Sequence, residues 1–185
     1  MELLLVLELI SVVLNILFLI LLTKENKNCW LFGIVGSIIG AYIFYKTQLY
    51  SESILYLFYT AMGVYGYFVW SKKRNNAFQI KSVSLIHSIK WVFVASGFAI
   101  GLGYLMSKTN ADKTYYDAFS TSFGIVATFL EIYKYLVAWY FWIAVNIFSI
   151  WLYGTKSLNF FAIQMIIYTA LSIYGAYKWH KKLAV

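Results

Sequence analysis

Two stretches of this chain, 109 residues apart, carry the same pattern of tryptophan, tyrosine and glycine inside apolar runs. Aligned without a gap, Trp30 falls on Trp139, Phe32 on Phe141, Ile34 on Ile143 and Leu49 on Leu158. Further on, Tyr59-Thr60-Ala61 meets Tyr168-Thr169-Ala170, Tyr65-Gly66 meets Tyr174-Gly175, Trp70 meets Trp179, and Lys72-Lys73 meets Lys181-Lys182. The register reaches the acids, Glu8 falling on Asp117. A duplication this long in a hydrophobic chain predicts a fold built from two halves, and it points to a transporter with its site between them.

The halves cannot be soluble domains. Hydrophobic residues make up 62% of the chain, against roughly half in ordinary globular domains, and the mean hydropathy is +0.73. Charged residues, 12% of the total, fall in short clusters between apolar runs. Runs of about 20 residues span a hydrocarbon core of about 30 Å at 1.5 Å per helical residue. Seven such spans are predicted, at roughly 3–22, 29–45, 49–70, 84–106, 115–133, 137–153 and 158–179. The first begins without a basic leader or a small-residue cleavage site, so we expect a retained helix. Cys29, the single cysteine, supports neither an intrachain disulfide nor a cysteine metal cluster.

The formal net charge is +8, and its arrangement carries the information. Alternate connections gather Lys24, Lys27, Lys72, Lys73, Arg74, Lys81, Lys90, Lys134, Lys178, Lys181 and Lys182 on one side of the membrane. The other side holds Lys46, Lys108, Lys113 and Lys156. The positive-inside rule then puts the N-terminus outside and the C-terminus in the cytoplasm. The basic residues are a topology signal, and no nucleic-acid partner is expected.

Three spans leave the chain on the opposite face, and a fourth brings it back. The expected architecture is therefore an all-α integral membrane domain of seven transmembrane helices, 3+1+3. It comprises a first three-helix repeat at 1–75, a linker helix at 82–108 and a parallel second repeat at 112–182. No proline occurs, so helix breaks would have to come from glycine or local unwinding. Gly36-x-x-x-Gly40 and Gly97-x-x-x-Gly101 have the small-residue spacing that lets helices approach, and we expect both to pack within the chain.

Enzymatic chemistry is not encoded. There is no H-E-x-x-H helix, nucleophile elbow or phosphate-binding glycine loop, and no metal or cofactor site is expected. Glu8 and Asp117 lie near helix ends, where an acid complements the helix dipole. Glu131, at the end of the fifth span, is expected to pair with Lys134 or with lipid headgroups. The spans instead carry neutral hydrogen-bonding and aromatic groups. Trp30, Tyr42, Tyr56, Tyr59, Tyr67, Trp70, Thr128, Asn146, Tyr153, Gln164, Tyr168 and Trp179 are the candidate substrate-binding residues. Asn146 and Gln164 are the sharpest, because an amide in hydrocarbon needs partners and turns toward protein or a hydrated cavity. Such a set suits a flat, polar, cationic ring. It does not suit a phosphorylated ligand, since no arginine lies in a span.

The segments Asn26 to Ser37 (N-x-x-C-W-x-F-G-x-x-G-S), Lys46 to Tyr50 (K-x-x-L-Y), Tyr65 to Trp70 (YGYFVW), Trp142 to Tyr153 (WIAVNIFSIWLY) and Tyr174 to Trp179 (YGAYKW) resemble, in this order, the PnuC-type vitamin transporters. The resemblance covers most of the chain. It implies a homotrimeric 3+1+3 bundle in the bacterial inner membrane that takes up nicotinamide riboside by facilitated diffusion and alternating access. A cytoplasmic kinase would then trap the vitamin. Members specific for nicotinamide riboside carry W-x-x-W at the end of the third span, where this chain has Tyr67-x-x-Trp70, and Ala176-x-x-Trp179 in the second repeat. Tyr56 and Thr128 stand where glutamines are expected, and Leu31 where a proline is usual. Thiamine and riboflavin transporters share the fold and are the alternative readings. A non-transporting membrane interaction subunit is the alternative of another class.

Overall fold

The computed structural model describes residues 2–46, 50–72, 79–108, 114–155 and 159–183. They form seven helices: α1 (Glu2–Thr23), α2 (Cys29–Lys46), α3 (Tyr50–Ser71), α4 (Leu85–Met106), α5 (Thr114–Ile132), α6 (Val137–Thr155) and α7 (Asn159–Leu183). The only β structure among the described residues is an isolated bridge between Lys81 and Tyr135. The expected spans fall on these helices, except that α7 continues four residues past 179. Hydropathy marks where a helix leaves hydrocarbon, not where it stops. The 25 residues of α7 extend about 37 Å at 1.5 Å per residue, beyond a core of about 30 Å. Its last turn is basic, with His180, Lys181 and Lys182. Windows in α1, α2 and α4 have the length and hydropathy to cross a bilayer, and α6 is apolar over Val137–Leu152.

The chain divides into two compact units, Met1–Phe78 and Gln79–Val185. In the first, α2 packs against both α1 and α3. Its glycines permit the approach: the side chain of Asn15 lies against Gly36 and the ring of Tyr56 against Gly40, each leaving no room for a Cβ. Two serines tie the neighbours to α2 by its backbone. Ser11 Oγ donates to Gly36 O at 2.9 Å, and Ser53 Oγ donates to Ala41 O at 2.9 Å. Asn15 Nδ2 in turn donates to Ser11 Oγ at 3.4 Å. The Gly36–Gly40 spacing is used as expected.

In the second unit the helices pack in chain order, α4 on α5, α5 on α6 and α6 on α7. The core joins Ala95 of α4 to Phe123, Val126, Ala127 and Leu130 of α5 and to Val137, Ala138, Phe141 and Val145 of α6. Gly97 and Gly101 do not pack as expected. Both are exposed, with nothing within 4 Å of where a Cβ would stand, because the buried face of α4 is the one through Ala95, Ala99 and Gly103.

The turns after α1 and α5 are built alike. Asn26 N donates to Leu21 O and Glu25 N to Leu22 O; 109 residues on, Tyr135 N donates to Leu130 O and Lys134 N to Glu131 O. This is the paired bonding of a Schellman cap, which needs a left-handed residue just past the helix. Glu25 at φ 55° and Lys134 at φ 57° supply it, in positions where glycine would be usual.

Candidate functional site

Each unit carries one tryptophan pair at the junction of its last two helices. Trp30 and Trp70 meet edge to face, with centroids 5.5 Å apart and planes at 88°. Trp139 and Trp179 do the same at 5.2 Å and 87°, within the range that favours aromatic pairs. A glycine seats each pair: the ring of Trp30 lies 2.7 Å from where a Cβ of Gly66 would stand, and that of Trp139 lies 2.5 Å from one on Gly175. All four rings are buried. The indole N–H groups of Trp30, Trp139 and Trp179 have no hydrogen-bond partner among the described residues. Trp139 is absent from the candidates the sequence suggests, although its alignment with Trp30 is the signal that could have found it.

Tyr56, Tyr59 and Tyr67 of α3 are half buried, whereas Tyr65 is exposed. Tyr56 lies 4.9 Å from Phe44 and 5.9 Å from Tyr59, centroid to centroid. Tyr67 sits one helical turn before Trp70, with Lys27 Nζ 5.7 Å from its ring centre. The structure therefore brings Tyr56 and Tyr59 together and places Tyr67 beside the Trp30–Trp70 pair in sequence along α3. Tyr42 does not join them. It is 46% exposed on the side of α2 away from Gly40 and Phe44, with Lys46 Nζ 5.6 Å from its ring. That arrangement suits a membrane–water interface, where lysine and tyrosine share apolar stems and polar tips.

In the second unit Asn146 and Gln164 are 3% and 2% exposed, as expected of amides turned inward. Asn146 Nδ2 donates to Ser172 Oγ at 3.3 Å, joining α6 to α7. Ser172 escapes a reading of the sequence because a lone serine in a span is no signal until its partner is known. Thr128 is buried, and its hydroxyl donates to Gly124 O at 2.8 Å within its own helix. Tyr168 is half buried. The side chain of Tyr153 lies outside the described residues.

Glu131 differs from its expected role at the headgroups. It is 3% exposed, and Oε2 accepts a hydrogen bond from Trp142 Nε1 at 2.5 Å. The cause is the cap after α5, which reverses the chain so tightly that α6 returns beside α5 and presents Trp142 to the carboxylate.

Seven helices with amides and hydroxyls turned inward and aliphatic side chains outward define a polytopic α-helical membrane protein. The chain belongs to the nicotinamide mononucleotide transporter family, whose model it matches over residues 5–181. It is a membrane transporter and not an enzyme. It is similar to the nicotinamide riboside transporter PnuC of Escherichia coli K12, 24% identical over a match that covers 93% of this chain and 84% of the relative. The protein of the same name in Neisseria mucosa is 27% identical, with 93% and 71% covered. The crystal structure of the vitamin B3 transporter PnuC superposes with a TM-score of 0.82 at 23% identity, covering 95% of this chain and 80% of that one. At that identity the superposition establishes the fold.

Proposed function

We propose that this protein carries nicotinamide riboside into the bacterial cytoplasm by facilitated diffusion. The observation that carries the reading is the match over nearly the whole chain to relatives named for that vitamin. The chemistry of the spans agrees with it. The one arginine, Arg74, falls outside the spans expected from the sequence, so a phosphate would lack the bidentate partner that phosphate recognition favours. An uncharged ribose and a pyridinium ring find hydroxyls, amides and aromatic faces instead. The candidate contacts are Tyr56, Tyr59 and Tyr67 in the first unit and Thr128, Asn146, Tyr153, Gln164 and Tyr168 in the second. Trp30, Trp70 and Trp179 brace the helices that carry them. Transport proceeds by alternating access in a homotrimer of 3+1+3 protomers, with the N-terminus outside, and a cytoplasmic kinase traps the product.

The departures at Tyr67 and Ala176 favour one second reading, a transporter for thiamine, which is also an aromatic cation. Thermal stabilisation of the purified protein discriminates the ligands. A selective rise in melting temperature with nicotinamide riboside, and saturable uptake of it into proteoliposomes, are expected. A rise with thiamine alone would replace the assignment. A rise with nicotinamide mononucleotide alone would overturn the argument from arginine.

A further inference from the structure

The connection into α4 is fastened to the far end of α5. Lys81 N donates to Lys134 O at 2.9 Å, and Leu136 N donates to Lys81 O at 2.9 Å, so that one residue of the connection both gives and takes a backbone bond. The result is the parallel bridge between Lys81 and Tyr135. It exists because Lys134 is left-handed. The Schellman cap there consumes the N–H groups of Lys134 and Tyr135 inside the turn, while the carbonyl of Lys134 and the N–H of Leu136 remain for another strand. Side chains close the junction: Ile80 is buried, and Lys81 Nζ lies 5.5 Å from the ring centre of Tyr135.

Further attachments hold α4 along its length. Ser84 caps its first turn immediately after the bridge, its side chain accepting from His87 N. Midway, Ala95 is fully buried in the cluster shared with α5 and α6. Near its far end, Gly103 lies against the ring of Tyr115 at the start of α5, 2.5 Å from a would-be Cβ. The linker helix is thus held at its start, its middle and its end by the same unit.

We infer that α4 is a fixed part of the second unit, and that α4–α7 moves as one four-helix body during transport with the Lys81–Tyr135 bridge closed throughout. This rests on the alternating-access reading above and sharpens it. A helix added only to restore topology could slide or tilt independently. A bridged and buried one cannot, without breaking two backbone hydrogen bonds and opening the cluster around Ala95.

The test locks the bridge. In a Cys29→Ala background, Lys81→Cys and Tyr135→Cys are introduced together, since paired positions on adjacent strands about 4.8 Å apart lie within disulfide reach. Nicotinamide riboside uptake into proteoliposomes is compared before and after oxidation, with the cross-linked peptide quantified by mass. The expected result is efficient cross-linking and uptake within twofold of the reduced protein. A reversible loss of uptake of tenfold or more on oxidation would show that the bridge must open, and would overturn the inference. Amide hydrogen exchange of the unmodified protein gives an answer independent of transport. Lys81 and Leu136 amides should exchange as slowly as those of α5, with or without nicotinamide riboside, and exchange at the rate of exposed amides would also overturn it. Slow exchange in a protein that takes up no nicotinamide riboside would sink the substrate assignment while leaving the fastened helix standing.

Discussion

At Glu25 and Lys134 the backbone asks for glycine and the sequence supplies long charged side chains. A left-handed conformation costs an L-residue about 1–2 kcal/mol relative to the right-handed one, and more with branching at Cβ. Glu25→Val should therefore destabilise the first unit by about 2 kcal/mol, seen as a lower melting temperature in detergent without a change in helix content at low temperature. An unchanged midpoint would mean the cap can relax. The Asn146–Ser172 bond makes a second prediction of this size. Asn146→Leu keeps the helix and strands the Ser172 hydroxyl, at about 1–3 kcal/mol. If Asn146 touches substrate, the ligand-induced rise in melting temperature should vanish as well; retention of that rise would remove it from the site. Much at this scale is legible in the sequence. Asn146 and Gln164 turn inward because an amide has no stable place in lipid, and that follows from residue type alone. The place of Glu131 does not, since its partner Trp142 comes within reach only through the turn geometry between α5 and α6.

At the scale of helices, the two units show why one glycine spacing reports packing and another does not. Gly66 and Gly175 each lie under a buried indole that cannot retreat. Gly66→Ala or Gly175→Ala should cost about 1–3 kcal/mol through the displaced ring. Gly97→Ala meets open space and should leave the melting temperature of the protomer within experimental scatter. A large loss at Gly97 and none at Gly66 would reverse the assignment of faces. Sequence alone does not distinguish these positions, because Gly97-x-x-x-Gly101 and Gly36-x-x-x-Gly40 are the same motif. What separates them is the phase of the buried stripe on each helix, and in α4 that stripe runs through Ala95 and Ala99. The repeat itself is more informative than either motif. Matching Trp30 with Trp139 and Trp70 with Trp179 already singles out the four residues that form the two edge-to-face pairs, one pair in each unit.

For the whole molecule, the decisive quantity is an odd number of crossings. If all seven helices span the bilayer, the termini lie on opposite sides whatever the packing within either unit. On the proposed topology, direction follows from charge: eleven cationic side chains would border the side of the C-terminus and four the other, and such an excess retains loops in the cytoplasm. Two tyrosine-backed lysines fit that assignment: Lys178 Nζ lies 5.6 Å from the ring centre of Tyr174 in α7, and Lys108 Nζ, just past α4, lies 4.6 Å from that of Tyr104. A fluorescent protein that matures only in the cytoplasm, fused after Val185, should therefore fluoresce, and an alkaline phosphatase that matures only outside should be silent there. The same reporters placed after Lys108 should give the opposite pair of signals. Matching signals at both positions would mean that α5–α7 do not cross an odd number of times, and the 3+1+3 architecture would fall with them. The opposite pair at both sites would instead keep the architecture and invert the protein in the membrane.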